Sequence, residues 1–557
     1  MSAPITRKAT KMNRMLALVA TTAALMAAAV AEAAAPGVAG TAFNLTAQAA
    51  YISQPDGQSV YSWGYGCANT TGLAFRPVAI TGGTCPTMQI PGPTLIVTEG
   101  DSVSVTLTNN LPTAAGNTSI LFPGFNVTTT GGVDGLLTKE AAANGGTVTY
   151  TFTASSPGTR AYYSGTQGDL QVEMGLYGAI IVLPNNPPAV CGGVGGISST
   201  ASDGLPATNP GANKKARAAA GEADFRLAAA AFDHPDTCYD REYLFQFSEI
   251  DPAIHNQALA QSTLACTGCM VVATEPYHPA YFLINGRSMP DDMDPNYAAQ
   301  YPHQPYNGNP HMHPGELTLV RIIGQGRWQH PFHEHGNHVR ILARDGNLIT
   351  ADPNVTTNLI AYQGATGTTP ATGKAAALAG PLLFTTTTTP GLAMDGIFYW
   401  TGRGLNWDAY GHNTTSTDTN ATLPCTPDPN GYNTGAPTAI NYFEWCQDHD
   451  KPLQAHPFGD VAAGGPATLP DPNLFTNGAW FGGSPYLGPN ATVRATGPTG
   501  TTPPSGTIAN SPTGEAGFAF MWHSHNEREI TTNNIFPGGM LMMMLVDSRE
   551  FVIDESN

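Results

Sequence analysis

Ser102-Val-Ser-Val-Thr-Leu-Thr108 alternates apolar and polar residues, and Thr147-Val-Thr-Tyr-Thr-Phe-Thr153 repeats the pattern. Strict alternation suits a half-buried strand, whose side chains point to opposite faces in turn, and does not suit a helix. Thr94-Leu-Ile-Val97 leads into the first of these runs through the turn Glu99-Gly-Asp101. Gly175-Leu-Tyr-Gly-Ala-Ile-Ile-Val-Leu183 reads as a buried closing strand. The composition agrees: 62 Gly, 46 Pro and only 11% charged residues suit short strands joined by many turns. The expected fold class is therefore all-β. A chain of 557 residues exceeds what one core normally serves, so two or three domains are expected.

Residues 36–185 read as a first β domain. A Gly/Pro/Ala/Ser-rich linker follows over 186–222, and a short helix is weighed at Ala216–Ala231. A second β region covers 223–550. Its strands are expected at Tyr239–Phe247, Ala280–Ile284, Glu316–Ile323, Phe332–Leu342, Gly380–Thr386, Gly396–Trp400, Gly517–His525 and Gly539–Val546. Residues 401–515 are rich in Pro, Gly, Asn and Thr, and are read as an insertion or as part of a third domain.

Residues 1–35 have the make-up of a secretory leader. Arg7, Lys8, Lys11 and Arg14 precede the apolar run Met15–Val30, and Ala31-Glu32-Ala33 offers a cleavage site. A membrane anchor is the alternative, but the run is short and weakly hydrophobic. The protein is thus expected to be exported, periplasmic or extracellular, with no integral span after leader removal. Loss of 1–35 moves the formal charge from −18 to about −21. Such a surface repels nucleic acid and anionic membranes.

Eight cysteines in an exported chain argue for disulfides. Pairing neighbours gives Cys67–Cys85, Cys191–Cys238, Cys266–Cys269 and Cys425–Cys446, although sequence does not fix connectivity. Cys266-Thr-Gly-Cys269 is a CxxC, for which redox activity and metal binding are weighed against a tight structural disulfide.

The chemistry is concentrated in histidines. Of 15 in the chain, four lie in His330-Pro-Phe-His333-Glu-His335-Gly-Asn-His338 and two in Trp522-His523-Ser524-His525. Residues two apart on a strand share a face, so His333 projects with His335, and His523 with His525. Two such pairs on neighbouring strands would bring four imidazoles together. Buried imidazoles without partners cost about 1–3 kcal/mol each, which favours a metal or an acid network around them. Imidazole suits Cu, Zn, Fe or Ni, and copper(II) binds most tightly of the common divalents.

These residues resemble a known family. His330-Pro-Phe-His333-Glu-His335-Gly is similar to the third histidine motif of multicopper oxidases. Phe520-Met-Trp-His523-Ser-His525 followed by Gly539-Met540 is similar to their last motif, HCH…GM. Pro91-Gly-Pro-Thr-Leu-Ile-Val-Thr-Glu-Gly-Asp101, Gly158-Thr-Arg-Ala-Tyr-Tyr-Ser164 with Gly175–Val182, and Phe282-Leu-Ile-Asn-Gly-Arg287 resemble further family segments in the family's order. The resemblance implies cupredoxin-like Greek-key β-sandwich domains, two or possibly three in tandem. It also implies copper as cofactor and a small reducing substrate or dioxygen as partner.

Against that pattern, Leu121-Phe-Pro-Gly124 stands where HxHG is expected and Tyr163-Ser-Gly165 where HxH is expected. Ser524 replaces the cysteine, and Glu529 stands near the place of a further histidine. A blue-copper site needs a Cys thiolate, two His and often a weak axial Met; His330 and Met540 are left of it. Of the eight histidines that the resemblance implies for a trinuclear cluster, His333, His335, His523 and His525 survive. The candidate metal ligands are these four with His330 beside them, and Tyr163 or Glu334 nearby. Three readings follow: a copper-dependent oxidoreductase with an incomplete site, a non-catalytic structural or partner-binding protein, and a copper storage or delivery protein. His311-Met-His313 is weighed as a second metal site against a loop before a strand. Asp291-Asp-Met-Asp294 is read as a solvated acidic turn over a calcium site, and Met540–Met544 as core. The chain carries no nucleophile elbow, Walker loop or HExxH.

Overall fold

A computed structural model describes residues 34–192, 222–313, 315–350, 378–400, 426–429, 431–435, 483–484, 517–547, 553 and 555. Most of the expected leader, linker and insertion, and both Cys425 and Cys446, lie outside these residues. The described chain is all-β, built of cupredoxin-like sandwiches; its longest described helix is Pro252–Gln261.

Residues 37–183 supply two five-stranded sheets. One runs in the order Gly158–Tyr163, Tyr177–Leu183, Gly92–Thr98, Gly37–Ala39, Ala74–Arg76. The other runs Ser59–Asn69, Ala42–Ser53, Ser102–Asn110, Thr147–Thr153, Thr128–Gly131. The chain changes sheets at the Glu99-Gly-Asp101 turn. The alternating runs do what their pattern requires: Val103, Val105 and Leu107 face Val148, Tyr150 and Phe152 across an antiparallel ladder and fill the space between the sheets with Trp63 and Ile180. The threonines of the same strands stay on the outer face, half-buried or exposed.

The second sandwich holds the histidines. Its seven-stranded sheet is centred on Arg241–Ile250, Leu317–Gly324 and Ala393–Tyr399. Its six-stranded sheet runs His311–Met312, Leu541–Asp547, Gly517–Ser524, His330–Glu334, Thr385–Thr388, with Gly483–Ser484 paired to Gly517–Ser524 off this path. Phe245, Phe332, Trp522, Met540, Met542 and Met544 pack between the sheets, so the methionine run is core.

Three expectations are corrected. Phe332–Leu342 is not one strand: His330–Glu334 and Val339–Arg344 lie in different sheets, separated by Gly336 at φ +101°. Residues 222–231 form no helix. The acidic turn is not solvated at Asp292, which is wholly buried, and burial raises its carboxyl far above the usual range. Cys67–Cys85, Cys191–Cys238 and Cys266–Cys269 are all bonded.

The two sandwiches meet through a packed, polar seam. Ala161, Ala179 and Ile181 of the first touch Leu244, Ile323 and Ala393 of the second. Thr159 Oγ1 donates to Asp395 Oδ1 at 2.6 Å, and Arg321 binds the same carboxylate at 3.1 Å.

Candidate metal centre

The His330–Glu334 strand sits between two neighbours. Phe332, His333 and Glu334 pair with Ser524, His523 and Trp522, and His333 also pairs with Thr385. Alternation sends Phe332 and Trp522 into the core and turns His333 and His523 to the other face. The backbone thus places two His-x-His pairs side by side, because each flanks the same rung of the ladder.

The four imidazoles converge. Ring centroids are 4.8 Å apart for His333–His335, 4.9 Å for His333–His525, 5.6 Å for His333–His523, 5.2 Å for His335–His523 and 5.6 Å for His523–His525. His333 and His523 are buried, His335 is half-buried and His525 is exposed, so the cluster opens outward at His525. Phe384 forms part of its lip, 5.8 Å from the His333 ring and 5.1 Å from His338.

The donor atoms are less complete than the rings. Among the described residues, no group of three or more His, Cys, Asp or Glu is already disposed as a metal cage. One pair is well placed: His335 Nε2 donates a hydrogen bond to His523 Nε2 at 3.2 Å, a proton that a cation shared by the two nitrogens would replace. Two nitrogens at tetrahedral bond lengths from one ion lie about 3.3 Å apart, so this pair fits a shared cation. The tautomer fits as well. His523 Nδ1 donates to the Ser524 carbonyl at 2.7 Å, which leaves a lone pair on Nε2. His333 Nδ1 is held by Thr385 Oγ1 at 2.7 Å. Burial, reinforced by charge from His335, His525 and His523, lowers the His333 pKa to about 4, so its ring is neutral near pH 7 and does not need to lose a proton before ligation.

His330 stands apart from the four. Both of its ring nitrogens are hydrogen-bonded to carboxylates, Nδ1 to Glu529 Oε2 and Nε2 to Glu249 Oε2, each at 2.9 Å. Ser524 Oγ donates to the same Glu529 oxygen, and Asn526 Nδ2 donates to Oε1 at 2.9 Å. Glu249 Oε1 accepts from the backbone N–H of Arg327 and Trp328 and from the Tyr277 hydroxyl. Burial opposes charge on the imidazole, but hydrogen bonds and charge from Glu249 and Glu529 outweigh it and hold the pKa at about 9. His330 is therefore an imidazolium clamped between carboxylates, with no lone pair to offer. Ser524 and Glu529, which stand at the places of the cysteine and a histidine, belong to this clamp.

The other candidates separate in the same way. Glu334 shares the Phe332 side of the strand, accepts from Thr386 Oγ1, and is pushed up to about 8 by burial; it does not face the histidines. Tyr163 is bridged to Leu121 and packs toward Gly391. His313 Nε2 lies 2.8 Å from Glu222 Oε2 in a buried group where Arg241 also binds Glu222, Glu316 and Glu555. Sequence reasoning missed Glu249. Its signal was a carboxylate next to Ile250 at the end of Arg241–Ile250, a strand buried throughout.

Residues 83–187 match the family model of a multicopper oxidase. Laccase abr2 from Aspergillus fumigatus is 36% identical over 98 residues, which is 17% of this chain and 16% of the laccase. Two solved structures align along most of the chain. The multicopper oxidase mgLAC is 14% identical, with 92% of this chain and 88% of that one covered at a TM-score of 0.41. A blue copper oxidase from Nitrosomonas europaea is 14% identical, with 90% and 85% covered at 0.40. The matched segment 83–187 contains no histidine, and the first histidine of the whole chain is His234. By its matched segment and by the order of its motifs, this chain resembles the multicopper oxidases.

Proposed function

We propose that this is an exported, copper-binding protein of multicopper-oxidase type, with one incomplete histidine site in its second sandwich. His333, His335, His523 and His525 are the proposed ligands, and the observation that carries the proposal is the 3.2 Å approach of His335 and His523 Nε2 within a four-ring cluster. His330 is proposed to brace the cluster from behind through Ser524 rather than to ligate. Two domains are proposed, 36–185 and 223–550, joined by 186–222 and with 401–515 inserted in the second. Copper bound there would supply a redox-active centre with open coordination positions, suited to a small reducing substrate or dioxygen. The chain itself would bind the ion through neutral imidazoles, shield it behind His333 and His523, and admit small molecules past His525 and Phe384. An electron-entry site of the blue-copper kind is not part of the proposal, because Ser524 offers no thiolate.

Elemental analysis and electron paramagnetic resonance of the purified protein test the proposal. Copper is expected without intense blue absorption, and His333→Ala with His335→Ala is expected to abolish its binding while the circular dichroism spectrum is kept. Copper stoichiometry unchanged in that variant would end the proposal. The histidine-free first 233 residues favour a second reading, a structural or partner-binding protein. That reading expects no copper in the wild type and unaltered partner binding in the double variant. Storage or delivery is less well supported, since Met540, Met542 and Met544 are buried in the core and His313 faces Glu222.

A further inference from the structure

The three disulfides among the described residues differ in setting. Cys67 joins the core of the first sandwich at 3% exposure with its partner Cys85 half-buried against that core, and Cys191 and Cys238 are 1% and 4% exposed. Cys266 is exposed and Cys269 is only half-buried, in a loop where residues 263–268 are all exposed. Their spans differ too: 18 and 47 residues for the first two, three for Cys266–Cys269. A cross-link that closes so short a ring removes little freedom from the unfolded chain, so it is a weak staple.

The loop does not need the sulfur bridge to hold its shape. Gly268 N donates to Thr113 O at 3.1 Å, and Met270 N donates to Ala114 O at 2.9 Å, which fixes the loop to the first sandwich. The Gln261 side chain bonds Val271 on both sides, donating to its carbonyl at 2.7 Å and accepting from its N–H at 2.9 Å. Gln257 Oε1 accepts from Ala273 N at 3.1 Å. Met270 is buried in the core of the first sandwich. Five hydrogen bonds and a buried side chain thus close the loop on either side of the Cys-x-x-Cys.

We propose that Cys266–Cys269 is a redox-active disulfide that oxidises thiols, a second chemical site separate from the histidine cluster. An incoming thiolate attacks the exposed Cys266 Sγ. The Cys266–Cys269 bond breaks, a mixed disulfide forms at Cys266, and Cys269 leaves as a thiolate that takes up a proton. The Cys269 sulfur lies 3.1 Å from the Cys266 carbonyl oxygen, so the new thiol has an acceptor already in place. A second thiolate then attacks the substrate sulfur of the mixed disulfide. It releases the oxidised substrate disulfide and leaves Cys266 as a thiol after protonation. Two thiols have given two electrons, and the protein disulfide has received them. Exposed, lightly constrained disulfides are the reducible ones, whereas buried cross-links resist.

The test equilibrates the full chain with glutathione at rising reduced-to-oxidised ratios, traps free thiols with a maleimide, and reads each cysteine by peptide mass spectrometry. Cys266 and Cys269 are expected to be half labelled at a glutathione concentration about 100-fold below that required by Cys67, Cys85, Cys191 and Cys238, with the thermal midpoint of the protein shifted by no more than about 3 °C. Cys269→Ser is expected to form a glutathione adduct at Cys266 when given oxidised glutathione. Reduction of all three bonds together, melting of the fold when Cys266–Cys269 opens, or absence of the adduct would each overturn the proposal.

Discussion

At position 330 a histidine has a carboxylate on each ring nitrogen. An imidazole that bonds carboxylates through both nitrogens is fully satisfied and positively charged, and a metal ion could reach it only by displacing a carboxylate and a proton together. The clamp also reaches the candidate metal centre, since Ser524 stands between His523 and His525 and donates to Glu529. Glu529→Gln keeps the shape and removes one charge from a wholly buried pair. Breaking such a pair from one side typically costs about 3 kcal/mol. The variant is expected to unfold at correspondingly lower denaturant while it still binds copper through the four remaining histidines. Loss of copper with stability unchanged would show that the Glu529 carboxylate itself helps hold the ion. The sequence exposed half of this arrangement: Ser524 and Glu529 stood out as departures from a motif. The other half lay in Glu249, 81 residues before His330, and no local pattern reports a pairing over that distance.

The elements were legible where one face meets a core and the other does not. The alternating strands of the first sandwich emerged as read, because burial of Val103, Val105 and Leu107 fixes which residues face inward. The 332–342 stretch is two strands because Gly336-Asn337-His338 breaks it between Phe332 and the apolar run from Val339, and apolar residues at both ends do not say where a chain leaves one sheet for another. Gly336 is the marker. Its φ of +101° is costly for any residue with a side chain, and a Cβ there would lie 2.9 Å from Cγ of Phe520, a fully buried ring. Gly336→Ala is expected to destabilise the protein by on the order of 2–3 kcal/mol and to weaken copper binding about tenfold, because the strained turn follows His335 directly. Thermal unfolding and copper titration read the two effects. A midpoint equal to the wild type would mean that the turn has another conformation.

Across the whole molecule, buried acids and bases have been gathered into few places, and their protonation ties stability to pH. Burial raises Glu173, Glu334 and Glu555 to about 8, so the folded protein keeps three protons that the unfolded chain releases near the ordinary 4.5. His330, held at about 9, keeps a fourth above the ordinary 6.5. A group whose folded pKa is raised contributes fully below its unfolded pKa, and that contribution is lost as pH rises through the folded value. The opposing groups act elsewhere. His333, lowered to about 4 by burial and its histidine neighbours, contributes above 6.5, and this is lost as pH falls toward 4; His255 and His523 are lowered too. Between about pH 4 and 6.5 the two sets offset each other, whereas between about 6.5 and 9 the loss from Glu173, Glu334, Glu555 and His330 operates, with buried Asp292 acting in the same direction. Each titrating group changes stability by about 1.4 kcal/mol per pH unit while the folded and unfolded states differ by one proton. The metal-free protein is therefore expected to lose stability steadily from pH 6.5 to 9, in chemical denaturation at a series of pH values. Glu334→Gln removes one of these titrations without touching the histidine face, so its curve should fall less steeply over pH 6.5 to 8 and run parallel to the wild type above that. A wild-type curve that is flat or rising across this window would mean that these carboxyls are ionised in the folded state, and that water or a cation reaches them.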